Sequence, residues 1–333
     1  MLKCSGTQFG EQKPQFVRSA TMDSMANDGV VSEDEIRLYR DIGRGGIGLI
    51  VSHGLYPTKE GQCSPRQLSA HADSSIPSLQ RLVDSVHEQG GKIAAQILHG
   101  GWMCSQQVTG VPPVGPSSVV HPQSGVAVRE LSSDEIRRLV QDYADCARRI
   151  VAACFYGIQL HGAHSWLISA FLSPATNKRQ DEWGGSPGRR ARFVREIYRS
   201  VRSVVGADYP FMIKLGLKDY HPAGKSLEEG IEEDFFHHIR RGGVSPYYLD
   251  ECRKARRALP LPFILVGGMR KLEDMQAVLD SGVADAISLC RPFIMDPLLV
   301  KNLKEGVTKA SECTSCNECM AHMRDGRLRC VLM

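Results

Sequence analysis

Short apolar or β-branched runs alternate along the chain with longer stretches in which apolar residues recur every three or four positions. The first pattern suits strands and the second amphipathic helices. Phe16-Val-Arg-Ser-Ala-Thr21 reads as a strand. Ser32 to Asp41 follows as a helix, with Ser32 and Glu35 forming a capping box. Ile47 to Ser52 is almost continuously apolar and bounded by glycine, as expected for a strand buried on both faces of a parallel sheet. Ile76 to Gln89 predicts a helix stopped by Gly90-Gly91, and Lys92 to Ile97 a third strand. Gly101 to Val128 breaks the rhythm. It is rich in Pro, Gly, Ser and Gln, and too long for a plain connector, so a lid or binding loop is expected. A long helix then runs from Leu131 to about Ala153, followed by strand Gly157–His161, helix Arg189–Val204 and strand Pro210–Leu215. Strand Pro262–Val266, helix Lys271–Ser281 and strand Asp285–Leu289 complete the series.

Repeated βα units without hairpin signals imply a parallel sheet covered by helices. Seven clear strands and one unclear one predict an α/β fold of the (β/α)8 TIM-barrel type. An open doubly wound sheet is the alternative, but no glycine-rich dinucleotide turn follows the first strand. The unclear strand lies in the short interval from Gly216 to Pro262. Ser226 to Arg240 and Tyr247 to Leu259 can be helices, which leaves Gly242 to Tyr248 for the sixth strand. Two glycines and a proline make that a poor strand, so the strand 6 region is read as shortened or missing. The barrel is assigned to residues 1–305 and a Cys-rich tail to 306–333.

Composition narrows the class. With 42% hydrophobic and 23% charged residues the chain is ordinary globular material. The net charge of +4 is spread out, and the basic stretch Arg253-Lys254-Ala255-Arg256-Arg257 has no interleaved aromatics, so no nucleic-acid partner is expected. The N-terminus lacks the apolar core of a signal peptide, and no run is long enough to span a membrane. A cytoplasmic protein follows as an expectation, with its eleven cysteines as thiols or metal ligands.

Barrel active sites sit at the C-terminal strand ends. Gln96 ends the third strand, His161 and His164 follow the fourth, Lys214 lies on the fifth, Gly267-Gly268 follow the seventh, and Cys290-Arg291 end the eighth. Gly267 and Gly268 allow close backbone approach to a phosphate, and Arg291 adds a fixed cation. A buried ammonium is costly alone, so Lys214 should face an anion or a polar cofactor edge, unless it forms a structural ion pair. The two histidines lack a third ligand for a metal and make better sense as N–H donors to an oxygen.

Together these residues resemble the Old Yellow Enzyme family of NAD(P)H:flavin oxidoreductases. The likeness covers nearly the whole chain. It is densest in Gln159-Leu-His-Gly-Ala-His164 and onward through Phe171-Leu-Ser-Pro174, Asn177, Arg179, Asp181 and Gly184 to Phe193. The resemblance implies FMN across the barrel mouth, with Ala20, Thr21 and Gly54 as contacts to the ring. It implies Gln96 at the pyrimidine edge, Lys214 near N1 and O2, and Gly267, Gly268, Cys290 and Arg291 around the phosphate. His161 and His164 would hold the carbonyl oxygen of a small enone-type substrate, and NAD(P)H would supply the hydride. The family's proton-donating tyrosine, two residues after the second histidine, is replaced by Trp166. Indole N–H does not give up a proton at neutral pH, so slow or absent alkene reduction is expected. A flavin-binding protein without that turnover is the alternative.

Cys313, Cys316, Cys319 and Cys330 have the spacing C-x2-C-x2-C-x10-C, which can hold a [4Fe-4S] cluster or a tetrahedral zinc. The stretch resembles the 2,4-dienoyl-CoA reductase and trimethylamine dehydrogenase branch, in which a cluster feeds FMN. An electron-donor protein and a homo-oligomer stay open as partners.

Overall fold

The computed structural model describes residues 15–122, 124–216, 218–219, 222–226, 245–319 and 328–333. Among these residues nine segments pair as strands: β1 (Phe16–Arg18), β2 (Leu49–Leu55), β3 (Ile93–Ile97), β4 (Val114–Gly115), β5 (Arg129–Glu130), β6 (Gly157–Gly162), β7 (Phe211–Leu215), β8 (Ile264–Val266) and β9 (Ala286–Leu289). Seven of them form one parallel sheet in the order β7-β6-β3-β2-β1-β9-β8. The first strand pairs with both the second and the last, so the sheet curls on itself in the order of a (β/α)8 barrel. Among the described residues, strands β7 and β8 are the ends of that order. The Ser226–Arg240 helix and residues 242–244 of the expected sixth strand lie outside the described residues, apart from Ser226 itself. Residues 245–248 form a bend and a turn.

Helices Glu33–Arg44, Ile76–His87, Ser133–Ala152 and Arg192–Val205 cover the outside. Two of the starts have a local side-chain cap. Ser32 accepts the Glu35 N–H, and Ser132 and Glu135 make a reciprocal capping box. The expected Arg189–Val204 helix is split into Pro187–Arg190 and Arg192–Val205. One large core lies between helices and sheet, including Phe16, Tyr39, Ile50, Ile93, Ile158 and Phe193. The Gly101–Val128 loop carries a 3-10 turn at Gly101–Met103 and a helical turn at Gln106–Thr109, and β4 within it pairs with β5. Among the described residues no helix is long and apolar enough to cross a membrane.

Candidate active site

Alternation along each strand sorts its side chains between two faces. Val17, Leu49, Val51, Ala94 and Ala286 pack together on the inner face, joined by Met212. Two positions further along the same strands stand Gln96, Lys214 and Ser288. On β6, Ile158 and Leu160 belong to the outer core, so Gln159 and His161 take the inner face. The lumen therefore has an apolar lower layer and a polar upper one, and because the strands are parallel the polar layer lies at the C-terminal mouth. Contacts knit that layer: Gln96 Nε2 donates to Gln159 Oε1 at 2.8 Å, and the Ser19 and Ser288 hydroxyls are 2.6 Å apart.

A register shift between Val51 and Gly54 in β2 alters which side chains face inward. The His53 ring turns to the helix side, toward Asp23, and the His53 backbone N–H donates to the Tyr39 hydroxyl at 2.7 Å. Gly54 becomes the partner of Gln96. A Cβ there would stand 2.8 Å from the Leu98 side chain and 3.4 Å from Gln96 Oε1, so only glycine keeps the space beside Gln96 open. Ala20 packs against the inner apolar layer. The Thr21 hydroxyl donates to the Ser19 carbonyl at 2.9 Å and lies 3.1 Å from Cys290 Sγ. Thr21 and Cys290, far apart in sequence, thus meet at the strand ends.

Lys214 is the register partner of His161 across β6 and β7. The residue as a whole is half-buried while its ammonium end is surrounded by protein. Burial lowers the ammonium pKa from its ordinary value, and the nearby Cys290 thiol group opposes that shift. Such a cation has most to gain from an anionic or electron-rich partner.

The histidine pair is arranged differently from two parallel donors. His164 Nδ1 is 3.1 Å from His161 Nε2, and the rings meet edge to face. His161 Nδ1 accepts the Ala163 N–H at 3.3 Å, which places the His161 proton on Nε2. That proton goes to His164 Nδ1, leaving the His164 proton on Nε2. His164 and Ser165 both adopt positive φ, 60° and 64°, a costly arrangement for two consecutive non-glycine residues. Trp166 is half-buried, with its ring 6.2 Å from that of His161.

The expected phosphate residues are more engaged with protein than the sequence suggested. A Cβ on Gly268 would fall 1.7 Å from the Ser245 carbonyl oxygen, and one on Gly267 would fall 2.8 Å from the Tyr247 ring. Both glycines are thus required by the chain's own approach as well as being suited to an anion. Arg291 Nη1 donates to Asn317 Oδ1 at 2.5 Å and reaches the Ser315 carbonyl at 3.4 Å, which ties the strand end to the Cys-rich tail. Cys313, Cys316, Cys319 and Cys330 line one small cavity with Arg291. Burial, with the Cys290 and Cys313 thiols, pushes the Cys319 thiol up to about 11.

Several residues that hold the mouth together have no local sequence signal. Trp102 Nε1 donates to the Ser165 carbonyl at 2.6 Å and pins the long loop to the histidine turn. The buried Arg179 guanidinium donates to Leu131 O at 2.7 Å and Pro116 O at 3.1 Å, so this part of the quoted motif positions the loop. Lys225 and Asp219 form a fully buried ion pair at 3.0 Å, with the Ser173 hydroxyl on the same carboxylate. Their separation in sequence from Ser173 hid that link.

The model of the NADH:flavin oxidoreductase / NADH oxidase family matches residues 15–310. An NADH oxidase of Thermoanaerobacter brockii is 35% identical over 342 residues, covering 93% of this chain and 52% of its own length. The structure of a 2-naphthoyl-CoA reductase in complex with 2-naphthoyl-CoA superposes with a TM-score of 0.92 at 26% identity, covering 99% of this chain and 56% of that one. An old yellow enzyme homologue from Zymomonas mobilis gives a TM-score of 0.76 at 26% identity, with 91% of each chain covered. The chain therefore spans about half the length of the first two and nearly all of the third.

Proposed function

Because the chain belongs to the NADH:flavin oxidoreductase / NADH oxidase family, we propose that it binds FMN at the polar mouth of the barrel and reduces the activated alkene of a small α,β-unsaturated carbonyl compound at the expense of NAD(P)H. The observation that carries this reading is the polar upper layer of Gln96, Gln159, His161, Lys214 and Ser288 over an apolar floor. Its donors suit a flat heteroaromatic ring with an electron-rich edge. Ala20, Thr21 and Gly54 would flank that ring, Gln96 would take its pyrimidine edge and Lys214 the edge that gains charge on reduction. Gly267, Gly268, Cys290 and Arg291 would hold the phosphate, with Arg291 shared between phosphate and tail. Bound FMN supplies the two-electron acceptor and donor.

The chain's own part is orientation, charge and proton control. The substrate carbonyl oxygen would take the His164 Nε2 proton as a hydrogen bond, with His161 fixing that tautomer. This polarises the alkene so that its β-carbon accepts the hydride. The α-carbon then needs a proton. Overall, NAD(P)H and one proton are consumed per double bond saturated. Trp166 cannot give that proton, so water must, and turnover is slow. This residue supports a second reading, a flavin-binding family member with little ene-reductase activity.

For the tail we favour a [4Fe-4S] cluster on Cys313, Cys316, Cys319 and Cys330. The four cysteines line one small cavity, and the stretch resembles the branch in which a cluster feeds FMN. A division into a barrel at 1–305 and a metal-binding tail at 306–333 goes with this reading, as does a cytoplasmic setting, an electron-donor protein in place of direct NAD(P)H, or a homo-oligomer.

An anaerobic absorption spectrum with iron and zinc assays tests the proposal, followed by NADH and NADPH oxidation with cyclohexenone. Flavin bands near ~450 nm and roughly four irons per chain support FMN and the cluster. A colourless protein that takes up no added FMN overturns the enzyme reading.

A further inference from the structure

Behind β1, on the face away from the lumen, lies a buried polar cluster that the proposed chemistry does not use. Asp23, Glu35 and His53 are all at most 1% exposed, and each offers a ligand atom within 4.8 Å of the others. Asp23 follows β1, Glu35 lies in the first turn of helix Glu33–Arg44, and His53 is the side chain turned outward by the irregularity in β2. Asp23 Oδ2 is served from one side: Tyr39 donates to it at 3.1 Å, and Arg18 Nη2 stands 3.8 Å away. Its Oδ1 instead faces His53 Nδ1 at 3.0 Å. Neither oxygen of Glu35, nor Asp23 Oδ1, nor either ring nitrogen of His53 has a well-aligned hydrogen bond, although His53 faces Asp23 and both the Ser32 N–H and Asp23 lie close to the Glu35 carboxyl.

Five buried polar atoms without a well-aligned hydrogen bond need an explanation, since a buried polar atom left alone costs on the order of 1–3 kcal/mol. One proton shared between Glu35 and Asp23 would satisfy a single oxygen of each. With His53 Nδ1 on Asp23 Oδ1, it would still leave His53 Nε2 without a partner and the second Glu35 oxygen without a well-aligned one. A cation collects a lone pair from all three residues at once. The 3.0 Å separation of His53 Nδ1 and Asp23 Oδ1 is also the edge expected between adjacent ligands at about 2.1 Å from an octahedral metal. We propose that Asp23, Glu35 and His53 bind a divalent transition-metal cation, of the zinc or manganese class that accepts mixed imidazole and carboxylate ligands. Its role is structural. It would clamp the end of β1, the first covering helix and β2 together directly behind Ala20, Thr21 and Gly54. It would also brace the tail, whose Leu328 N–H donates to the Asp23 carbonyl at 3.2 Å.

The test uses the full chain with Cys313, Cys316, Cys319 and Cys330 all changed to Ser, so that thiolate-bound metal is removed from the count. It is produced in medium supplemented with Zn2+, Mn2+ or Co2+, desalted, and assayed for metal. The expected result is about one equivalent per chain, with a Co2+ spectrum lacking thiolate charge-transfer bands, falling roughly tenfold or more in Glu35→Gln. Circular dichroism and melting temperature check that both proteins are folded. A folded tail variant without stoichiometric metal overturns the proposal. So does metal content unchanged by Glu35→Gln. A metal-free parent that Glu35→Gln stabilises would assign the pair a shared proton instead. None of these readouts depends on FMN or on turnover.

Discussion

At the scale of single residues, the decisive position is Trp166. Its ring lies 6.2 Å from His161, in the place where the family resemblance expects an acid. A general acid typically contributes 10²–10⁴-fold to a proton-transfer step. Trp166→Tyr should therefore raise kcat for cyclohexenone reduction by roughly 10²-fold, with a smaller effect on the flavin-reducing half-reaction. An unchanged kcat would mean that water already protonates efficiently. His99 gives a second prediction. Burial lowers its pKa to about 3, and its Nδ1 accepts the Gly101 N–H at 3.1 Å while Leu167 donates to its carbonyl. A folded-state pKa below the unfolded value means that stability is present above about pH 6.5 and is lost as pH falls toward about 3. Urea melts of wild type and His99→Gln between those limits should converge at the acid end. The positions of Gln96, His161, His164 and Lys214 on or just past strands were legible from the apolar runs that precede them. The turning of His53 away from the lumen was not, because a one-residue irregularity in β2 shifts the parity and leaves no mark on composition.

At the scale of elements, signals carried within a few residues were read correctly. The Ser32 and Leu131 helix starts, the glycine stop after Gln89 and the apolar run of β2 all appear within a few residues of their expected limits. The helix from Arg189 is broken near Ala191, where Arg190 turns inward to donate to the Leu172 carbonyl at 2.7 Å. That tertiary contact is invisible to periodicity. The reciprocal cap of Ser132 and Glu135 offers a clean test. Arg129 and the Ser132 N–H hold the Glu135 carboxyl down to about 2. A lowered carboxyl pKa contributes stability above its ordinary 4.5 and loses it as pH falls through about 2. Ser132→Ala should cost about 1 kcal/mol at neutral pH in a denaturant melt. Because part of the cap is the ionised Glu135, the cost should shrink toward pH 2. A cost independent of pH would assign the cap to the serine hydroxyl alone.

At the scale of the whole molecule, the curl of the sheet sets the question of how its two ends are held. Every residue of β2 and β3 is buried, whereas Ile213 of β7 is 44% exposed and Ile264 of β8 is 37% exposed. Parallel strands are normally covered on both faces, and unpaired strand edges are weak points. The proposed FMN ligands are distributed across both ends: Lys214 on β7, Gly267 and Gly268 after β8, Cys290 and Arg291 after β9. A cofactor lying across the mouth would therefore link one end of the sheet to the other. Any ligand that binds only the folded state stabilises it, by about 2.7 kcal/mol at a free concentration one hundred times Kd. Here that stabilisation should be uneven. Removing FMN should speed amide hydrogen exchange in Phe211–Leu215 and Ile264–Val266 by more than tenfold, roughly the change expected when local opening becomes easier by 1.4 kcal/mol, while β2 and β3 change little. Adding FMN back should restore protection at both ends together. Equal loss across all seven strands would mean that FMN stabilises the barrel only globally. Loss at β8 without β7 would place the cofactor on the phosphate side alone, and would leave Lys214 without the partner that its desolvated ammonium calls for.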